Sequence, residues 1–125
     1  MSDLIARLEA ATEGSRELDA DILALSDYRS TKAYRGWIMM QAKGAARDDR
    51  TYLLRFAPHY TTSLDAAMTM VPEADDRCLE ITIYCTGTEV DLAYGNYLQS
   101  GLSWAKTTPI ALCIAALKAR EATND

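Results

Sequence analysis

Residues 79–94 read Leu79-Glu80-Ile81-Thr82-Ile83-Tyr84-Cys85-Thr86-Gly87-Thr88-Glu89-Val90-Asp91-Leu92-Ala93-Tyr94. Leu79, Ile81, Ile83 and Cys85 alternate with Glu80, Thr82 and Tyr84, which is the period of a half-buried strand. Thr86 to Glu89 reads as a turn around Gly87. Val90, Leu92 and Tyr94 then resume the alternation against Asp91 and Ala93, and Gly95-Asn96 ends it. An antiparallel hairpin is predicted, and its apolar face needs helices to cover it.

Working outward, the C-terminal cover is clear. Thr108 is placed to cap a helix with Pro109 at its first position. Ile110, Cys113, Ile114 and Leu117 follow at i, i+3, i+4 and i+7, with Lys118 and Arg120 where cations suit a helix end. Between the hairpin and this helix lies an irregular piece that includes Trp104. On the other side, Pro58 and Pro72 bracket a short helix. Thr62 and Asp65 resemble a capping box, and Leu64, Met68 and Val71 form its buried stripe.

Further upstream, Trp37–Gln41 and Thr51–Phe56 read as two strands of a second hairpin across a polar loop near 43–50. Leu4, Ile5, Leu8 and Ala11 mark a first amphipathic helix, which Thr12–Gly14 breaks. Ser15 opens a second helix along Leu18, Ile22 and Leu25. The predicted order is α-α-β-β-α-β-β-α. It describes one compact α+β domain over 1–125, a small α/β/α-type sandwich. Its antiparallel or mixed four-stranded sheet comes from two hairpins.

The chain has 125 residues, 49% of them hydrophobic and 25% charged, enough to bury a core without disulfides or metal. Its net charge of -5 argues against general nucleic-acid binding, which depends on cations meeting phosphates. Arg29, Lys32, Arg35, Lys43, Arg47, Arg50 and Arg55 nonetheless crowd one central stretch. Cys78, Cys85 and Cys113 form no motif, and one histidine with no C-x-x-C makes zinc an unsuitable expectation. The start Met1-Ser2-Asp3 lacks the pattern of a signal peptide, and no apolar run reaches membrane-spanning length. A reducing cytoplasm is the expected location, with no membrane partner.

Three stretches resemble the group of small tailed-phage and prophage proteins known as the phage ABA-sandwich domain. They are Leu4-Ile5-Ala6-Arg7-Leu8-Glu9-Ala10-Ala11, Tyr60-Thr61-Thr62-Ser63-Leu64-Asp65-Ala66-Ala67, and Thr108-Pro109-Ile110-Ala111-Leu112-Cys113-Ile114-Ala115-Ala116-Leu117-Lys118-Ala119-Arg120. The resemblance implies a phage origin and helix–sheet–helix layering. It assigns no activity to particular residues.

The candidate site is the start of the Pro-bracketed helix. Helix N-termini attract phosphate and carboxylate through unpaired N–H groups. Thr61, Thr62 and Ser63 would add hydroxyls there, Tyr60 would stack on a base, and Arg55 or Arg35 would pair with a phosphate. His59 beside Ser63 or Thr62 lacks an orienting acid and an oxyanion hole, so catalysis is not the leading expectation. Glu73, Asp75 and Asp76 form an acidic cluster without the spacing of a calcium loop. Of Tyr84, Tyr94, Tyr97, Trp37 and Trp104, at least three are expected in the core. The run Val90–Tyr97 offers an edge to a second copy, so a homodimer is one expectation.

The functional expectation is a phage-encoded, non-enzymatic binding protein without a cofactor. It would be a counter-defence or host-interaction factor that docks on a host protein. The alternatives are sequestration of a nucleotide-like signal at Thr61–Ser63 and a role in virion assembly.

Overall fold

The computed structural model describes residues 2–40, 49–73, 77–94 and 98–123. Helices α1 (Ser2–Ala10) and α2 (Arg16–Ala24) lead into a 3-10 turn at Tyr28–Ser30. Helices α3 (Lys32–Met40), α4 (Asp49–Phe56) and α5 (Leu64–Met68) follow. Strands β1 (Arg77–Tyr84), β2 (Gly87–Tyr94) and β3 (Leu98–Ala105) then precede α6 (Thr108–Thr123). The fold is α+β: helices, then a three-stranded antiparallel sheet in the order β1-β2-β3, then a helix packed on it.

The predicted hairpin is present. Leu79 faces Leu92 and Ile81 faces Val90 across β1 and β2. The turn sits earlier than expected, because Tyr84 already pairs with Gly87. Glycine is required there: a β carbon would meet the Ala105 carbonyl oxygen at 2.5 Å and the Trp104 ring at 2.5 Å. The free-edge reading of Val90–Tyr97 is corrected, since β2 is the central strand and is paired on both sides. Gly95, Asn96 and Tyr97 themselves lie outside the described residues.

The third strand was not expected. Its α6-facing positions are Gly101, Ser103 and Ala105, while its large residues Leu102 and Trp104 point the other way. This inverts the usual signature of a strand. The small residues let α6 lie close to the sheet, and Ser103 and Ala105 are sealed beneath it. Helix α6 also packs against α1 and α5 on its far side. Every residue from Ile110 to Leu117 is consequently buried, not only the predicted stripe. Each large aliphatic side chain so enclosed contributes about 1.5–3 kcal/mol. The cap of α6 is one residue earlier than expected: the Thr107 carbonyl accepts the Ala111 N–H, and Thr108 is already helical.

The first hairpin is replaced by helices. Thr31 Oγ1 accepts the Tyr34 N–H at the entry to α3, and the helix runs through Trp37, Met39 and Met40. In α4 the 3.6-residue spacing brings Tyr52 and Phe56 onto one side, their rings 4.9 Å apart. Tyr52 is also stacked on Tyr28 at 6.0 Å, edge-on to Tyr34 at 5.0 Å and tilted against Trp37 at 5.9 Å. This aromatic cluster, with Leu53 and Ala20 of α2, overrides the strand propensity of Thr51-Tyr52-Leu53. The loop at 43–48 lies outside the described residues.

Among the described residues the sheet has three strands, with α6 and α1 packed on it, so the four-stranded sheet from two hairpins is corrected. The opposite face carries Tyr84, Leu102 and Trp104, which are 51%, 61% and 41% exposed. Of the five named aromatics, Tyr84 and Trp104 are exposed and Trp37 is half-buried against the Tyr28/Tyr52 cluster, while Tyr97 and the side chain of Tyr94 lie outside the described residues; Tyr28 and Tyr52 are buried.

Candidate functional site

Thr61, in the candidate segment, is bonded to a carboxylate of the chain itself. Asp19 of α2 is fully buried, and its Oδ1 accepts both the Thr61 N–H (2.8 Å) and the Thr61 hydroxyl (2.7 Å). Thr61 Oγ1 in turn accepts the Ser15 N–H at 3.0 Å. Ser15 also caps α2 by accepting the Leu18 N–H. The arginine that meets this carboxylate is Arg16, whose Nη1 lies 2.9 Å from Asp19 Oδ2.

The remaining Arg16 donors close the end of α4. Nη2 donates to the carbonyls of Leu54 (3.0 Å) and Ala57 (2.7 Å), where a helix leaves its last carbonyls unpaired. Arg16 Nη1 also lies 3.3 Å from His59 Nδ1. A guanidinium only donates, so any hydrogen bond between the two runs from Arg16 to the ring nitrogen.

The other predicted site residues have local roles. The Thr62 and Ser63 N–H groups both donate to the His59 carbonyl. Ser63, not Thr62, caps α5 by accepting the Ala66 N–H at 3.3 Å. Helix α5 has 5 residues, of which Ala67 is buried; of the expected stripe Leu64 is exposed, Met68 is half-buried, and Val71, beyond the helix end, is buried beside Met70. Tyr60 is buried, which pushes its phenol pKa up, and its carbonyl accepts the Cys113 thiol at 3.3 Å. Burial raises the Cys113 thiol to about 12.

Arg55 and Arg35 belong to a different region. Arg55 lies over the Phe56 ring at 5.7 Å, and Arg35 of α3 donates to the Ser30 carbonyl at 3.1 Å. Between α3 and α4 runs a groove of about 500 Å³. Trp37, Met40 and Phe56 form its apolar surface, Lys32 and Arg55 give it positive charge, and Gly36 leaves it open. A β carbon on Gly36 would meet nothing within 4 Å. Met39 and Met40, at the end of α3, are 85% and 87% exposed.

Two polar anchors hold this helical half in place. Asp49 accepts the hydroxyls of Tyr34 (2.7 Å) and Tyr28 (2.8 Å) and pairs with Arg29. Those two hydroxyls, then Arg29, hold its carboxyl below the usual range. Asp21 bridges Arg7 of α1 and Arg50 of α4. Burial acts to raise its pKa, but the two guanidiniums outweigh this and hold it low.

Sequence reading missed Arg16 and Asp19, although their i, i+3 spacing on α2 was a usable sign of a local ion pair. The paired exposed methionines were hidden by the strand reading of their segment. Asp75 and Asp76 of the acidic cluster lie outside the described residues. Among the described residues, no group of three or more His, Cys, Asp or Glu side chains is placed to hold a metal ion. No helix among them is long and apolar enough to cross a membrane. A scan of family models and searches of curated proteins and of solved structures find no match to this chain.

Proposed function

We propose that this chain is a non-enzymatic binding protein that acts by docking on a helix of another protein through the α3–α4 groove. The observation that carries this reading is the joining of exposed Met39 and Met40 to a groove surfaced by Trp37 and Phe56 and flanked by Lys32 and Arg55. Methionine-rich surfaces adapt to a partner's shape, and aromatic anchors supply most interface energy. An amphipathic helix laid in such a groove buries these side chains. The cations favour a partner helix whose apolar stripe is bordered by carboxylates. The flank resemblance to a phage group makes a protein of the bacterial host the proposed partner, in a host-interaction or counter-defence role. The Thr61 hydroxyl, the Ser63 hydroxyl oxygen and the N–H groups of Thr61, Thr62 and Ser63, which a nucleotide ligand would use, are engaged within the chain, which favours the protein partner.

Gly36 provides the test. Gly36→Leu would project a side chain into the groove from α3, starting from a β carbon with open space around it, and it replaces a poor helix former by a good one. Affinity capture from host extract with the native chain should retain a discrete partner. The Gly36→Leu chain, folded and at least as stable, should lose it. Equal capture by both chains would refute docking in the groove.

A further inference from the structure

We propose that the open face of the sheet is a second docking surface, one that takes an arginine-bearing segment of another protein. The β register sets its geometry. Glu80 of β1 stands directly opposite Asp91 of β2, with Leu102 of β3 next in that row. Thr82, Glu89 and Trp104 form the adjacent row. These side chains all point away from α6. Glu80, Thr82, Glu89, Asp91 and Leu102 line a shallow depression of about 70 Å³.

Two carboxylates facing each other across neighbouring strands lie about 5 Å apart at their β carbons and repel. Elsewhere the chain answers its embedded carboxylates with its own arginines: Asp19 with Arg16, Asp21 with Arg7 and Arg50, Asp49 with Arg29. Among the described residues, Glu80, Glu89 and Asp91 form no ion pair, and Asp91 Oδ1 is sealed from solvent without a hydrogen-bond partner. The face thus holds an unneutralised pair of like charges beside exposed aromatic rings.

An incoming guanidinium satisfies both features. Its planar fork bridges two carboxylates, and its face stacks on an aromatic ring. Trp104 already engages one cation, with Lys106 Nζ 5.3 Å from the ring centroid. Tyr84, whose hydroxyl lies 3.4 Å from Glu89 Oε2, flanks the same row. In an extended segment, side chains two residues apart share a face and are separated by about 7 Å. One arginine then reaches Glu80 and Asp91, and the next reaches Glu89 beside Trp104.

The test uses a fluorescein-labelled peptide of alternating arginine and serine, and a lysine version of it, with binding read by anisotropy at physiological salt. The native chain should bind the arginine peptide, and the lysine peptide about threefold or more weakly. Glu80→Gln with Asp91→Asn should weaken binding about tenfold or more, and Trp104→Ala about threefold or more. Glu13→Gln with Glu17→Gln removes the same charge from exposed sites, one between α1 and α2 and one on α2. It should change affinity by less than about twofold. A loss in this control equal to that of the Glu80/Asp91 variant would reduce the effect to general electrostatics and overturn the proposal. So would equal affinity for the two peptides, or no binding by the native chain. Melting supplies a readout that needs no ligand. Glu80→Gln with Asp91→Asn should raise Tm by relieving repulsion, and a lowered Tm would overturn the reading of these carboxylates. Gly36→Leu should leave arginine-peptide binding unchanged, which separates this surface from the α3–α4 groove.

Discussion

Replacing Asp19 by alanine should be among the most damaging single changes in the chain. The substitution leaves Arg16, half-buried and fixed on the end of α4, without its carboxylate. It also leaves the buried Thr61 N–H without an acceptor. Removing one member of a buried pair costs about 3–5 kcal/mol. An orphaned buried donor alone costs about 1–3 kcal/mol, which overlaps with that figure and is not added to it. Against a total stability of about 5–15 kcal/mol, the loss is a large fraction. With a urea slope near 1.5 kcal/mol/M, the midpoint should fall by about 2–3 M. Equilibrium unfolding followed by far-UV circular dichroism measures this directly. Arg16→Ala and the double variant complete a cycle whose coupling should reach about 1 kcal/mol or more. A midpoint shift under about 0.5 M, or additive single costs, would refute the view that this network ties α2 to the Pro-bracketed segment.

Three further outcomes are expected. Cys78 and Cys85 are exposed, whereas Cys113 is buried with its thiol raised to about 12. A thiol reagent at neutral pH should modify the first two quickly and Cys113 only after denaturation; fast modification of all three would contradict the burial of α6. Asp21 and Asp49 have lowered pKa values in the fold, so their contribution is complete above the unfolded carboxylate value and is lost as pH falls through the folded values. Stability measured in urea should therefore decline from about pH 4 downward, and Asp49→Asn should flatten the decline. Ser103→Leu should destabilise by about 1–3 kcal/mol, because it pushes a large side chain into the close contact between β3 and α6; a neutral effect in thermal melting would show that the contact is loose.

The residues that proved legible share a physical trait: their local pattern and their tertiary environment agree. Leu79, Ile81, Val90 and Leu92 alternate and also meet across one hairpin. Ile110, Cys113, Ile114 and Leu117 repeat at helical spacing and also lie in the core that α6 forms with the sheet, α1 and α5. Where the two disagree, sequence reasoning failed. Thr51-Tyr52-Leu53 has strand propensity, yet the contact of Tyr52 with Tyr28, Tyr34, Trp37 and Phe56 is available only to helices. β3 has its small residues inward, because the helix above needs space more than apolar area. Thr61 was legible as a polar residue in need of a partner. The partner was not, since Asp19 and Thr61 are separated by 42 positions and only the fold joins them.

Stability and recognition occupy different parts of this molecule, which makes the functional proposals separable by mutation. The charges that hold the fold are paired and enclosed: Asp19 with Arg16 and Thr61, Asp49 with two tyrosine hydroxyls and Arg29. The groove cations Lys32 and Arg55 and the sheet carboxylates Glu80, Glu89 and Asp91 stand outside those networks. The two surfaces also carry opposite charge, on elements that pack on different neighbours. A chain that needed both faces only for solubility would not leave Met39, Met40, Leu102 and Trp104 exposed in or beside them, because exposed apolar groups cost solubility. Loss of partner capture from a groove variant with unchanged melting, and loss of peptide binding from a sheet-face variant with raised melting, would place recognition on surfaces that folding does not require. If both losses instead followed Asp19→Ala alone, recognition would depend on how α2 and the Pro-bracketed segment are held together.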